Sequence, residues 1–228
     1  MPSPPSPAPS SSSCSATAGR PRRTTPDAYS PQRYVAEFDA LRRSLGAERW
    51  LICGQSLGAA LTLRYSLDCP DRVIAQVFTN SNSALADEAW RERVIPLMAA
   101  QARHLQEHGR AALHGHPLNP ARGKRLPADA RAALVADYAL HTPEGVAATG
   151  LYTVPDSSIR DRASTISVPT LLVAGEREKG FTEAHTFAER SIPGIKVIGL
   201  DTGHAVNLEA AREFNEAVAS FLANHISP

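Results

Sequence analysis

The chain has 228 residues, and its 24 Lys and Arg residues nearly balance 23 Asp and Glu residues, for a formal net charge of +1 at pH 7. This length allows one domain with a sizeable core, and the near-neutral charge gives no indication of a nucleic-acid partner or an anionic membrane partner. No apolar run approaches the ~20 residues that span a bilayer. The cysteines, Cys14, Cys53 and Cys69, match no metal spacing, so we expect a reduced, cytoplasmic chain.

The first 30 residues differ in composition from the rest of the chain. They are rich in Pro and Ser, contain a single acidic residue, Asp27, and show no apolar periodicity. Such a segment buries too little apolar surface to offset its chain entropy, and it lacks the apolar stretch of a secretory signal. The sequence therefore predicts a disordered leader over residues 1–30 and a folded domain over residues 31–228, with an organelle transit peptide as the alternative.

From Pro31 onward, helical and extended patterns alternate. An apolar face made by Tyr34, Phe38, Leu41 and Leu45 predicts a helix that ends at Gly46. Apolar strands are predicted at residues 50–53, 73–79, 169–175 and 195–203. Amphipathic helices are predicted from residue 57 to about residue 67, over 181–194 and over 207–225, the last with an inner face of Phe214, Val218, Phe221 and Leu222. This alternation predicts an α/β fold with a mostly parallel sheet flanked by helices.

Residues 84–165 contain no convincing strand pattern. Helices are predicted there from Asp87 to about Leu113, from Pro127 to Ala139 and from Pro143 to Gly150. We interpret this segment as a helical lid inserted into a core formed by residues 31–83 and 166–228. Trp90 and Met98 of this segment are candidates to line an apolar substrate pocket, with packing on the sheet as the alternative.

A reactive serine is predicted between the first strand and the following helix. The segment Gly54-Gln55-Ser56-Leu57-Gly58 is a G-x-S-x-G turn, which can expose a nucleophilic serine above a parallel sheet while the next amide, that of Leu57, donates to an oxyanion. A serine nucleophile needs a base and an acid. Later strand ends offer His204 as the base and, as the acid, Glu176 or Glu178.

Three motifs carry a resemblance to a known family. "GQSLGA", "PTLLVAGEREKGF" and "DTGHAVNLEAAREFNEAVASFL" resemble the nucleophile turn, acid turn and histidine loop of the α/β-hydrolase superfamily, in its branch of capped esterases, enol-lactonases and carbon–carbon bond hydrolases. The resemblance covers roughly residues 27–228. It implies a Ser-His-Glu triad of Ser56, His204 and Glu178, because the family's acid usually lies three residues after the glycine that stands here at Gly175. It further implies a small ester, lactone or related carbonyl substrate and no cofactor or metal.

The chain departs from the family's pattern before residue 50. Members of the family have several strands and a His-Gly-type loop upstream, and that loop donates the second oxyanion N–H; no such pattern precedes Trp50 here. We interpret the chain as an N-terminally truncated, partial α/β-hydrolase fold with impaired activity. Its strand at residues 50–53 would form an open sheet edge and favour self-association. The alternative function is an inactive remnant that binds a ligand or a partner.

A rival site lies in the predicted lid. The segment His104-Leu105-Gln106-Glu107-His108 places two histidines one helical turn apart, as in an inverted zinc-protease motif. Its Ala-, Gln- and Arg-rich surroundings are ordinary for an exposed helix, and no third ligand is evident. The sequence therefore favours the serine site and predicts no metal site. Cys53, at the end of a buried-looking strand, is expected to have a structural role.

Overall fold

The computed structural model describes residues 25–226, which contain a four-stranded sheet in the order β1-β2-β3-β4. The strands are β1 (Trp50–Gly54), β2 (Val73–Phe78), β3 (Thr170–Gly175) and β4 (Lys196–Leu200). All neighbouring strands pair in parallel. The predicted α/β fold with a parallel sheet flanked by helices is confirmed. No strand precedes β1 within the described residues, so β1 forms an edge of this sheet.

Nine α-helices lie among the strands of the described region. They are α1 (Pro31–Ser44), α2 (Leu57–Asp68), α3 (Glu88–His108), α4 (Arg110–Gly115), α5 (Ala128–Tyr138), α6 (Pro143–Ala148), α7 (Thr182–Ser191), α8 (Val206–Glu209) and α9 (Ala211–Ala223). Successive side chains of a strand point to opposite faces of the sheet, so the core is divided between the two faces. Leu172 packs with α2 and α7 on one face, whereas Leu171 and Val173 pack with Phe214 and Phe221 of α9 on the other.

The segment between β2 and β3 forms the predicted helices and contains its own small apolar cluster. Ala102 and Leu105 of α3 pack with Leu113 of α4 and with Val146 of α6. The single helix expected from Asp87 to about Leu113 is instead two helices. Gly109 separates them with a φ of 56° and a ψ of −138°, a conformation that a residue with a side chain rarely adopts.

Several other details of the prediction were wrong. Residues 25–30, assigned to the disordered leader, are folded, since Tyr29 is buried and its carbonyl accepts a hydrogen bond from the Thr153 hydroxyl at 2.6 Å. Residues 1–24 of that leader lie outside the described residues. Leu45 lies beyond the end of α1 and is exposed. Cys53 is also exposed, although Ile52 and Gly54 on either side of it in β1 are buried. The closing helix is divided into α8 and α9 at Ala210.

A buried carboxylate fastens α1 to the rest of the domain. Asp39 is 5% exposed, and its Oδ1 accepts hydrogen bonds from the Tyr65 hydroxyl of α2 at 3.1 Å and from Arg42 Nε at 3.0 Å. The same oxygen lies 2.7 Å from Arg72 Nη1, and Oδ2 lies 2.5 Å from Arg43 Nη1. Burial disfavours the charged carboxylate, but the hydrogen bonds from Arg42, Arg72 and Tyr65 outweigh this effect and lower the pKa of Asp39. Asp39 therefore ties α1, α2 and the turn before β2 together.

Replacing Asp39 by Ala should destabilise the protein strongly, because it leaves the buried guanidinium of Arg42 and the buried hydroxyl of Tyr65 without their partner. We expect a loss of ~3 kcal/mol or more in the free energy of unfolding at pH 7, measured by urea denaturation. A carboxyl with a lowered folded pKa contributes stability above its unfolded pKa, near 4, and loses it as pH falls through the folded value. The difference between wild type and Asp39→Ala should therefore shrink toward about pH 3.

The matched control on the same helix is Arg33→Ala, whose side chain is 53% exposed. Because exposed ion pairs contribute little, this change should alter the unfolding free energy by less than ~1 kcal/mol. Equal losses in the two variants would show that Asp39 is not the anchor of α1.

Candidate active site

The turn between β1 and α2 holds its serine in a strained backbone conformation. Ser56 has a φ of 55° and a ψ of −121°, and it is the one non-glycine residue with positive φ in the described region. Gly54 makes this turn possible, since a Cβ there would lie 2.5 Å from the Gly58 carbonyl oxygen and 2.6 Å from Ala59 Cα. Strain of this kind costs about 1–3 kcal/mol and is typical of functional turns.

Ser56, His204 and Glu178 form a continuous hydrogen-bonded chain. His204 Nε2 lies 2.8 Å from Ser56 Oγ, and His204 Nδ1 lies 3.0 Å and 2.9 Å from the two carboxylate oxygens of Glu178. A carboxylate accepts hydrogen bonds, so it keeps the ring proton on Nδ1 and leaves Nε2 free to accept the serine proton. The three residues follow β1, β4 and β3 respectively.

The surroundings of Glu178 and His204 favour the charged form of each. Burial disfavours the carboxylate of Glu178, but hydrogen bonds with His204 and Asn80 outweigh it and lower the pKa of Glu178. The hydrogen bond to Glu178 raises the pKa of His204 against the opposing effect of burial, and the charge of Glu209 adds to the rise. The imidazolium that forms when His204 takes a proton is therefore stabilised.

The sequence interpretation missed Asn80, which holds the Glu178 side chain in place. Asn80 follows β2 and is fully buried. Its Nδ2 donates to Glu178 Oε2 at 2.7 Å and to the Gly175 carbonyl at 3.0 Å, while its Oδ1 accepts from the Gly175 N–H at 2.9 Å. The available signal was its place just after a strand, at the edge where parallel strands end. In "FTNSNS" an asparagine is otherwise an ordinary loop residue.

Hydrogen bonds also hold the loop that contains His204. The Gly203 N–H donates to Glu209 Oε2 at 2.8 Å, and Gln55 Nε2 donates to the His204 carbonyl at 3.3 Å. The loop also lies against the acid turn, because a Cβ on Gly175 would be 2.0 Å from the Gly203 carbonyl oxygen. These contacts set the position of His204 relative to both of its partners.

The other predicted site residues are placed as follows. Glu176, the alternative acid, is exposed and turns its carboxylate toward Gly199 of β4, so the structure brings Glu178 and not Glu176 to His204. The Leu57 N–H donates to no acceptor within residues 25–226, which leaves it available to an oxyanion. Trp90 and Met98 both line the pocket in front of Ser56.

That pocket has a volume of about 420 Å³ and lies between the sheet edge and the helical segment that joins β2 to β3. This volume is in the usual range for small-molecule sites. Its lining contains no Lys, Arg, Asp or Glu from the described part of the chain and is built mainly from apolar side chains. The helical segment between β2 and β3 contributes Trp90, Met98, Ala102, Leu105, Pro117, Leu118, Val146, Ala147 and Val154, together with the polar Gln101, His116, His141 and Thr149.

The rival histidine pair lies on α3. The ring centroids of His104 and His108 are 4.4 Å apart. His108 Nδ1 is 3.1 Å from the His104 carbonyl oxygen, so this nitrogen is already hydrogen-bonded within the helix. Within residues 25–226, no three His, Cys, Asp or Glu side chains form a group suited to a metal ion. The same residues include no helix long and apolar enough to cross a membrane.

Comparison with known proteins gives consistent matches. A sequence profile of the alpha/beta hydrolase family matches residues 8–217. A Bacillus subtilis (strain 168) protein with the provisional name 2-succinyl-6-hydroxy-2,4-cyclohexadiene-1-carboxylate synthase is 26% identical over 201 residues, which cover 85% of this chain and 73% of that protein. The crystal structure of a hydrolase from Pseudomonas aeruginosa PA01 is 25% identical, with a TM-score of 0.69, and the match covers 85% of this chain and 72% of that one. Est816, described as an N-acyl homoserine lactone degrading enzyme, is 28% identical with a TM-score of 0.66, over 85% and 75% of the two chains.

The two glycines of the serine turn should differ in their tolerance of a side chain. Gly54→Ala forces a Cβ into backbone atoms, so we expect a loss of about 1–3 kcal/mol in unfolding free energy. At Gly58 a Cβ meets nothing within 4 Å. Because Gly58 lies in α2, where Ala is favoured by up to ~1 kcal/mol, Gly58→Ala should be neutral or stabilising. Urea denaturation of both variants checks this, and similar losses would refute the close approach at Gly54.

Removing the Asn80 amide should raise the pKa of Glu178, because one of the hydrogen bonds that stabilise its carboxylate is lost. We expect Asn80→Ala to show this rise in an NMR titration of the Glu178 side-chain carboxyl carbon in the folded protein. The matched control is Asn82→Ala, which removes an asparagine that is not bonded to Glu178. An unchanged pKa in Asn80→Ala would show that Asn80 only stabilises the end of β3.

Proposed function

Because the chain belongs to the alpha/beta hydrolase family, we propose that it is a serine hydrolase acting on an ester or lactone through a Ser56–His204–Glu178 triad. The observation that carries the proposal is the unbroken hydrogen-bonded chain from Ser56 Oγ through His204 to Glu178, at the mouth of an apolar pocket. A serine next to a base that is itself oriented by an acid is the arrangement that activates a hydroxyl for attack on a carbonyl.

In this proposal the first half-reaction acylates the serine. Ser56 Oγ attacks the carbonyl carbon as its proton passes to His204 Nε2, and the negative charge that develops on the carbonyl oxygen accepts a hydrogen bond from the Leu57 N–H. His204 then gives its proton to the departing alkoxide oxygen, and the acyl group stays on Ser56. Throughout, the Glu178 carboxylate accepts a hydrogen bond from the Nδ1–H of His204 and stabilises the imidazolium.

The second half-reaction releases the acyl group. Water loses a proton to His204 Nε2 and attacks the acyl carbon, and the proton returns to Ser56 Oγ as the free acid leaves. Every step uses the same base, so the balance of protons requires no cofactor. Asn80 takes no part in proton transfer and acts as a positioning residue for Glu178.

The lining of the pocket supports an uncharged, largely apolar acyl group. Trp90 and Met98 would contact that group from the lid, and a hydrophobic pocket discriminates by ~1–3 kcal/mol per methylene. The name of Est816 refers to lactone degradation, and a lactone is attacked by the same steps as an ester, with its ring oxygen as the leaving group. We therefore include lactones in the proposed substrate class.

A ligand-binding protein without turnover is the second candidate. It is favoured by the oxyanion site. The Leu57 N–H is one donor there, but the sequence before Trp50 contains no His-Gly-type pattern for a second, and loss of one of two such donors costs ~10²–10³ in rate. The two functions separate in one assay. An ester that binds without release of its alcohol supports the binding protein, and alcohol release that depends on Ser56 supports the hydrolase.

The triad residues should act as one unit in ester hydrolysis. Ser56→Ala should lower kcat by on the order of 10⁴-fold or more, and Ser56→Ala/His204→Ala should be no less active than the single variant, because members of a catalytic unit are non-additive. Initial rates with p-nitrophenyl esters of short fatty acids check this. Substantial turnover by Ser56→Ala would refute the assignment.

The acid has a matched control in the same turn. Glu178→Gln should lower kcat far more than Glu176→Gln, whose side chain does not reach His204. The pH profile gives a second readout. The base must be neutral to act, and Glu178 raises the pKa of His204, so activity should fall as pH drops through that raised value. Glu178→Gln should move this fall to lower pH.

A further inference from the structure

One lid histidine has a fixed tautomer. His116 follows α4, lines the pocket of Ser56 and is 8% exposed. Its Nδ1 accepts a hydrogen bond from the Leu118 N–H at 3.3 Å. A backbone N–H can only donate, so Nδ1 carries no proton, and the single proton of the neutral ring lies on Nε2. His116 therefore presents an N–H donor through Nε2.

This donor has no partner in the described part of the chain. Within residues 25–226 the Nε2 of His116 makes no hydrogen bond, yet it is not one of the polar atoms sealed away from open space. Burial lowers the pKa of His116, and the nearby charge of His104 lowers it further, so the ring stays neutral near pH 7. A bound acyl chain would exclude solvent from this donor, and a donor that is removed from water without gaining an acceptor is unfavourable.

The surroundings make this donor distinctive within the pocket. Most lid side chains that line the cavity are apolar, among them Met98, Leu105 and Val146. The other lid histidine of the lining, His141, has the opposite arrangement. Its Nδ1 lies 3.3 Å from the Asp137 carbonyl oxygen, to which it must donate, so its Nε2 is an acceptor in the neutral form. His116 therefore offers the pocket a hydrogen-bond donor through Nε2, whereas His141 offers an acceptor.

We propose that His116 is a specificity-determining residue whose Nε2–H donates to a neutral acceptor oxygen on the substrate, away from the bond that is cleaved. The inference rests on the proposed hydrolase function and narrows its substrate class to acyl esters or lactones that carry a keto oxygen in the acyl part. A neutral N–H suits a neutral carbonyl oxygen, and the uncharged lining matches an uncharged chain around it. An acyl chain without the oxygen leaves the donor unpaired in an apolar wall, and such mismatches are strongly rejected.

The test compares hexanoate p-nitrophenyl esters with and without a keto group, the keto group being moved along the acyl chain in a series. In wild type, at least one keto ester should exceed the plain ester in kcat/KM by ~10-fold or more. His116→Phe keeps a planar ring but removes the donor, and it should bring that ratio near unity. His116→Gln keeps a neutral N–H donor at a similar reach and should restore much of the preference.

The control is His114→Phe, which replaces an exposed histidine of α4 outside the pocket lining and should leave the ratio unchanged. Wild type with no preference for any keto ester, or His116→Phe with an undiminished preference, would overturn the proposal. A lost preference in both His116→Phe and His114→Phe would also overturn it, since the effect would then not belong to the pocket.

A binding measurement separates this proposal from the proposed function. Trp90 lines the same pocket, so the quenching of tryptophan fluorescence in Ser56→Ala should report binding without hydrolysis. Tighter binding of a keto ester than of the plain ester, lost when His116→Phe is added, supports the donor even if the wild type shows no turnover. Equal binding of the two esters contradicts the donor even if the wild type hydrolyses both.

Discussion

The parallel direction of the four strands is the constraint on which the site depends. Because every strand of the described sheet runs the same way, the residues that follow β1, β2, β3 and β4 all emerge at one edge. Ser56, Asn80, Glu178 and His204 each follow a different strand, and they meet there within hydrogen-bond distance although 148 positions separate Ser56 from His204. The register of the sheet therefore sets the geometry of the proposed triad.

Close backbone approaches at two glycines convert that common edge into a site. Gly54 allows the chain to turn sharply enough to raise Ser56 above the sheet, and Gly175 allows the acid turn to lie against the histidine loop. Neither position has room for a Cβ. The strained φ of Ser56 is stabilised by the strand before it and the helix after it, so the serine hydroxyl is held in place before any substrate arrives.

The parts of this arrangement that follow from local pattern were predictable. The apolar runs of β1 to β4, the G-x-S-x-G turn and the position of His204 after a Gly all lie in short stretches of sequence, and the structure brings Ser56, Glu178 and His204 together. The residues alone left Glu176 and Glu178 open as the acid, and the family resemblance favoured Glu178; in the structure it is Glu178 that contacts His204. The break at Gly109 was missed because apolar periodicity continues through it, whereas the backbone conformation does not.

Asn80 and His116 were beyond sequence reasoning for a different reason. The role of each residue depends on contacts that its local sequence does not show. Asn80 bonds across 98 positions to Glu178, and no local pattern encodes that distance. The role proposed for His116 depends on the hydrogen bond from the Leu118 N–H to Nδ1, which places the ring proton on Nε2. The sequence alone does not reveal this hydrogen bond.

The site consequently divides into two parts with different physical demands. The sheet edge supplies the groups proposed to react, and their geometry depends on the register of four strand ends. The helical segment between β2 and β3 supplies most of the pocket wall and contains its own small core, so its side chains can differ without moving Ser56 or His204. In the proposed function, a change in this segment would therefore be enough to change the substrate. A neutral donor such as His116, set among apolar side chains, then has a large effect on which acyl group fits, because few other polar groups in that wall compete with it.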